Sequence, residues 1–219
     1  MNFNFQKSRH FMVKNQLRPN KIKNQIILGL FSNIQKEIFL QENHQNIAYS
    51  DLDIPIVEKR GYLKNLHIAQ LVQFSNIQKN DKILHVGGLT GYVTLLLAEL
   101  SSQVICLESD DKLFEKLKNN LKNLEYKNIE LHKTDLKEGY SNKAPYDLIF
   151  IDNPVKKISD IILEQINPKL GRIVMIEKIN NSLSRAVKIT KDNNNYNKEF
   201  LFDVFSKFEL YEKKEEFIF

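Results

Sequence analysis

The residues with the clearest chemical use lie in one stretch, Ile83-Leu84-His85-Val86-Gly87-Gly88-Leu89-Thr90-Gly91-Tyr92, an apolar run that ends in a glycine turn. Glycine lets a backbone turn sharply and approach a ligand with no Cβ in the way, although a strand-to-helix turn can need glycine for steric reasons alone. About twenty residues on, Glu108 closes the next apolar run, where a carboxylate can accept hydrogen bonds from both ribose hydroxyls of a nucleoside. The same side chain also reads as a solvated charge ahead of a helix capped by Ser109 or Asp110. Past a third run, Thr134-Asp135-Leu136 offers Asp135 either to an adenine amino group or as the cap of a turn. A fourth run ends in Phe150-Ile151-Asp152-Asn153-Pro154, which sets Asp152 and Asn153 where a group acceptor would sit, or simply marks a turn.

Other chemistries find little support. The five histidines are far apart and lack metal-ligand spacing, no Gly-x-Ser-x-Gly elbow is present, and no phosphate-binding Walker loop follows the first strand. The single cysteine, Cys106, lies in the apolar run Val104-Ile105-Cys106-Leu107 and reads as a buried thiol. Neither a disulfide nor a metal is expected. A net charge of +5 permits nucleic-acid contact, but lysines alternate with acids along the chain instead of forming one basic block, so nucleic acid is not an expected partner. No run has the length to span a bilayer, and the N-terminus lacks a signal-peptide pattern, so a soluble cytoplasmic protein is expected.

The elements that must position these residues follow from periodicity. Helices are expected over Arg9 to Leu17, over Lys21 to Phe31 with Asn20 as its cap, and from about Asn65 to Phe74. An extended edge segment is expected at Asp51 to Ile56. From Lys82 onward short apolar runs alternate with amphipathic stretches, the mark of βαβ units. Strands are expected at Lys82-Val86, Gln103-Glu108, Ile129-His132, Tyr146-Ile151 and Arg172-Glu177, with helices at Tyr92-Leu100, Lys112-Leu124 and Ile158-Ile166. Arg185-Asp192 and Glu199-Leu210, joined by Asn193-Asn194-Asn195-Tyr196-Asn197, read as a closing hairpin. The fold class is therefore α/β and Rossmann-like: a mostly parallel sheet with a C-terminal antiparallel hairpin and an N-terminal helical segment. A single domain is expected, with residues 1–78 packed as a helical, substrate-side segment on a core formed by 79–219.

The order of these features resembles the protein-L-isoaspartate O-methyltransferase family, a branch of the class I S-adenosylmethionine-dependent methyltransferases. Met12-Val13-Lys14-Asn15-Gln16-Leu17-Arg18 looks like the family's opening helix. Ala48-Tyr49-Ser50-Asp51 with Ile54-Pro55-Ile56 looks like the segment before its active site. Leu84 to Tyr92 resembles its cofactor loop, and Leu107-Glu108 its ribose-binding strand end. Pro145-Tyr146-Asp147 and Leu170-Gly171-Arg172-Ile173-Val174 resemble its fourth and fifth strands. The resemblance implies S-adenosyl-L-methionine as cofactor, a protein or peptide substrate, and cofactor contacts from His85, Gly87, Gly88, Gly91, Glu108, Ser109, Asp135, Leu136 and Asp152.

Three positions depart from the family pattern. Leu89 replaces the middle glycine of the loop, His85 its preceding acidic residue, and Leu63 the serine that helps position the isoaspartyl carboxylate. Tyr62, Lys64, Asn65 and Asp152 are the candidates left for contact with the acceptor. The resemblance implies methylation of a carboxylate on damaged protein or a related acid, weakened by the missing hydroxyl. Two alternatives stay open: a non-catalytic cofactor-binding or scaffold relative, and an RNA or protein N-methyltransferase using Asp152-Asn153-Pro154. That segment resembles, without its second proline and aromatic, the signature of enzymes that methylate amino nitrogens.

Overall fold

The structure, a computed structural model, describes residues 4–122, 124, 126–169, 171–192 and 195–211. Short runs, most of them rich in Ile, Val and Leu, form strands β1 (Ile54–Val57), β2 (Arg60–Tyr62), β3 (Lys82–Val86), β4 (Gln103–Glu108), β5 (Ile129–Lys133), β6 (Leu148–Val155), β7 (Arg172–Lys178), β8 (Ser184–Asp192) and β9 (Asn195–Val204). The helices are α1 (Phe5–Met12), α2 (Gln25–Asn33), α3 (Glu42–Gln45), α4 (Asn65–Phe74), α5 (Tyr92–Leu100), α6 (Asp111–Lys122) and α7 (Asp160–Glu164).

Seven strands make one sheet in the order β5-β4-β3-β6-β7-β8-β9, parallel through β7 and antiparallel beyond it. The order reverses between β3 and β6, the place where open α/β sheets receive ligands at the carboxyl ends of their strands. Period-two alternation divides the strand side chains between two cores. Ile83, Cys106, Phe150 and Val174 pack with Leu71 of α4, Leu96 of α5 and Leu117 of α6 on one face. Leu84, Leu107, Ile149 and Met175 pack with Ile162 of α7, Leu136 and Leu210 on the other. Between β5 and β6 the chain makes only a 3-10 turn, Ser141–Lys143, so short α7 and the residues after β9 cover much of that second face.

Several boundaries differ from expectation. Asn20 does not cap α2: its N–H and those of Lys21 and Ile22 bond back to carbonyls of Leu17 and Arg18, and Lys21 takes the left-handed φ of 66°. These residues finish the first helix, whose last turn, Val13–Leu17, is a π-helix. Asn24 is the cap, its side chain accepting from Ile26 and Ile27. β1 pairs only with β2 in a separate two-stranded sheet. β6 runs to Val155 through a register irregularity that follows Ile151, while Tyr146 makes only an isolated bridge to Ile166. Helix α7 is shorter than the expected Ile158–Ile166, beginning where Ser159 accepts from Ile162. The largest difference is at the C-terminus. β9 begins within the asparagine segment and stops at Val204, so Phe205 to Leu210 leave the hairpin and turn back across the carboxyl ends of the strands. Leu170, Asn193 and Asn194, which the sequence reading included, lie outside the described residues.

Candidate functional site

Glu108 ends β4 with its carboxylate fully buried. Five donors reach it. Arg60 of β2 forms a two-pronged pair, Nη1 to Oε1 at 2.7 Å and Nη2 to Oε2 at 2.8 Å. The amide of Leu89 donates to Oε2 at 2.9 Å, and those of Ser109 and Asp110 to Oε1 at 2.9 and 3.1 Å. Such an arrangement satisfies a buried carboxylate almost completely. Asp110 caps α6 through the Leu113 amide, as the sequence allowed.

The glycine turn divides by role. Gly87 (φ 92°) and Gly91 (φ 108°) occupy backbone conformations that L side chains rarely adopt. A Cβ on Gly88 would lie 2.3 Å from the Cys106 sulfur, so that glycine lets the turn pack on β4. A Cβ on Gly87 would meet Leu210 Cδ1 at 2.5 Å and the Arg60 guanidinium at 3.1 Å. The space above the first glycine therefore holds Leu210 and Arg60. Leu89, at φ 52°, keeps the left-handed backbone usually left to glycine and aims its amide at Glu108.

At the sheet's switch point His85 and Asp152 meet, with Nε2 3.3 Å from Oδ1, while Nδ1 lies 2.9 Å from the Thr94 hydroxyl. Burial alone would lower the His85 pKa, but the hydrogen bonds to Asp152 and Cys106 and the charge of Asp152 outweigh it and raise it to about 10. The imidazolium faces a carboxylate that it helps to hold in place. Asn153 accepts from the Gly61 amide at 3.3 Å, and its Nδ2 has no partner among the described residues.

The segment between β2 and α4 is built into the core. Leu63 is buried among apolar side chains. The Tyr62 hydroxyl accepts from the amides of Thr90 and Tyr92; because Thr90 Oγ1 donates to the Phe39 carbonyl, the tyrosine must donate to Thr90 across their 2.8 Å contact. Asn65 accepts from the buried ammonium of Lys36 at 2.9 Å and donates to the Ala48 carbonyl. Burial lowers the Lys36 pKa to about 7 against the fields of Asp53 and Asp152, and its Nζ sits 5.5 Å from the ring centres of both Tyr62 and Tyr92. Only Lys64 faces solvent, bordering an open cavity of about 620 Å³ with Asp51, Asp53, His67, Phe205 and Phe208. Burial, and then the Lys64 charge, lower the His67 pKa to about 4.

The chain matches the family described as Protein-L-isoaspartate(D-aspartate) O-methyltransferase over residues 7–204. It is 31% identical over 172 residues to protein-L-isoaspartate O-methyltransferase 1 of Syntrophobacter fumaroxidans, an overlap of 78% of this chain and 80% of the relative. The enzyme of that name from Herpetosiphon aurantiacus is 31% identical over 170 residues, covering 78% and 75%. The chain belongs to the protein-L-isoaspartate O-methyltransferase family. A solved protein-L-isoaspartate O-methyltransferase superimposes with a TM-score of 0.78 over 93% of this chain at 19% identity, and this chain spans 65% of that longer one.

S-adenosyl-L-methionine is the cofactor of the isoaspartyl methyltransferase family. In this conformation the arrangement around Glu108 is closed to it: both carboxylate oxygens are taken by Arg60 and the amides, and Leu210 and Arg60 fill the approach to Gly87. The remaining residues expected at a cofactor border the same turn: the Thr134 amide donates to the Glu108 carbonyl, and Leu136 Cδ1 lies 3.8 Å from where a Cβ on Gly87 would stand. Asp135 caps its own turn through the Lys137 amide, and Leu136 is buried in the second core. Ser109 reaches Glu108 through its backbone. Sequence reasoning missed Arg60 and Lys36, since each acts on a partner 48 or 29 residues away and neither sits in a motif.

Proposed function

We propose that this chain is an S-adenosylmethionine-dependent methyltransferase acting on a carboxylate of damaged protein in the cytoplasm. The observation that carries the reading is family membership together with the retained Glu108, which stands at the carboxyl end of β4 beside the left-handed glycine turn after β3. Gly87, Gly91, Glu108 and the His85–Asp152 pair are the residues we assign to the cofactor side. The acceptor side is assigned to the cavity beside Lys64, where a cation at the N-terminus of α4 can meet a substrate carboxylate. Among the described residues no helix is long and apolar enough to cross a membrane.

The direct test is transfer of a tritiated methyl group from S-adenosylmethionine to an isoaspartyl peptide, with the aspartyl peptide as control. Base-labile label on the isoaspartyl peptide alone supports the reading. Equal labelling of both peptides, or of neither, rejects it.

A further inference from the structure

The contacts that close the site come from two places remote in sequence. The β1–β2 hairpin brings Arg60 to Glu108. The strap of residues 205–211 lies across that hairpin and the end of β6: the Glu209 amide donates to the Lys59 carbonyl and the Leu210 amide to the Pro154 carbonyl, each at 2.8 Å. Phe208 seats on Gly61, where a Cβ would lie 2.5 Å from its ring, and the Leu210 side chain sits over Gly87. The Glu209 carboxylate anchors the strap to Lys178 at 2.6 Å and to Lys156 at 3.6 Å. Phe208 and Leu210 are buried, so the strap is packed against the cleft rather than draped over it.

We infer that Arg60 is an internal competitor for the cofactor's ribose acceptor, and that together with the strap it sets the affinity of this site by holding it closed. The inference rests on the methyltransferase reading. The guanidinium supplies Glu108 with the two hydrogen bonds that ribose hydroxyls would otherwise donate, adds a full charge, and comes tethered to the chain. A nucleoside must displace it and move Leu210 away from Gly87 at the same time. Binding is therefore coupled to strap release, and the apparent affinity is reduced by the small fraction of molecules that are open.

Calorimetric titration with S-adenosylhomocysteine tests this in the full chain, comparing the parent with Arg60→Met and Leu210→Ala. Both variants are expected to bind at least about tenfold more tightly than the parent. Since Arg60→Met leaves a buried carboxylate unpaired and can impair folding, amide hydrogen exchange on the parent provides an independent measure. Saturating ligand is expected to speed exchange at Glu209 and Leu210. Tight binding by the parent with those amides still protected overturns the closed-site inference and leaves the methyltransferase reading intact. Tight binding by the variants without methyl transfer to any isoaspartyl peptide does the reverse. Absence of binding by all three proteins removes both.

Discussion

Two buried cations in the same part of the molecule are handled in opposite ways. Arg60 meets a carboxylate with matched geometry, and its partner receives three further amide hydrogen bonds. Lys36 has no carboxylate within ion-pair distance among the described residues; it rests on the Asn65 side-chain oxygen at 2.9 Å, the Leu63 carbonyl at 3.5 Å and the faces of two tyrosines. A fixed charge can be buried when its counter-charge is also fixed, whereas an ammionium in a mostly apolar setting lowers its pKa and sheds its proton near neutrality. The surroundings of Glu108 are thus locked by a specific pair, while the region behind Leu63 responds to pH.

Removing one member of the locked pair should have the largest effect. Arg60→Ala is expected to lower stability by about 3–5 kcal/mol, because Glu108 is left charged, buried and short of donors. Urea denaturation checks this, and a loss under about 1 kcal/mol would mean that the three amides suffice. Next in size is Leu63→Ser, the change that restores the family's hydroxyl. Leu63 is 1% exposed and packed in the core, so the substitution should destabilise by about 2–5 kcal/mol, and a gain in methyl transfer has to be read against that loss. Adding Gly61→Thr would be worse, since its Cβ would stand 2.3 Å from the Ile54 carbonyl oxygen.

Lys36→Met sharpens the contrast through pH. The folded-state pKa lies below the ordinary lysine value, so burial of this group destabilises the parent most below about pH 7 and the penalty fades as pH rises toward 10.5. The variant is therefore expected to exceed the parent in stability at pH 6–7, with an advantage that shrinks through the alkaline range. An advantage independent of pH would show that lost packing or charge repulsion elsewhere sets the difference. His85 has the opposite sign. Its folded-state pKa of about 10 lies above the free value of 6.5, so its contribution is complete below about pH 6.5 and lost as pH rises through 10. Paired melts of the parent and His85→Asn at pH 6, 8 and 10 should show a deficit that narrows with pH; a constant deficit would mean that the imidazole is neutral throughout. The smallest effect expected is from Gly29→Ala in α2, where a Cβ meets nothing within 4 Å and the helix should gain up to about 1 kcal/mol.

The sequence by itself determined the sheet and the turn. Strands β3 and β4 and helices α4 and α5 have the boundaries that periodicity predicts, because alternation in a strand and the three-to-four spacing in a helix are local properties, and the left-handed glycines mark the turn between β3 and α5. Glu108 was legible as the acidic end of the strand beside that turn. What it bonds to was not. Its partner lies 48 residues upstream on a three-residue strand, and Leu210, on the strap, continues an alternating pattern that looks like more of β9. Tertiary structure decided these points. One face of the sheet has only a 3-10 turn between β5 and β6 and short α7, so it recruits apolar residues from the chain after β9, and the path that buries Phe208 and Leu210 carries the strap over Gly87. Burial of the Glu108 carboxylate in turn requires a counter-charge, which the hairpin beneath the strap supplies as Arg60.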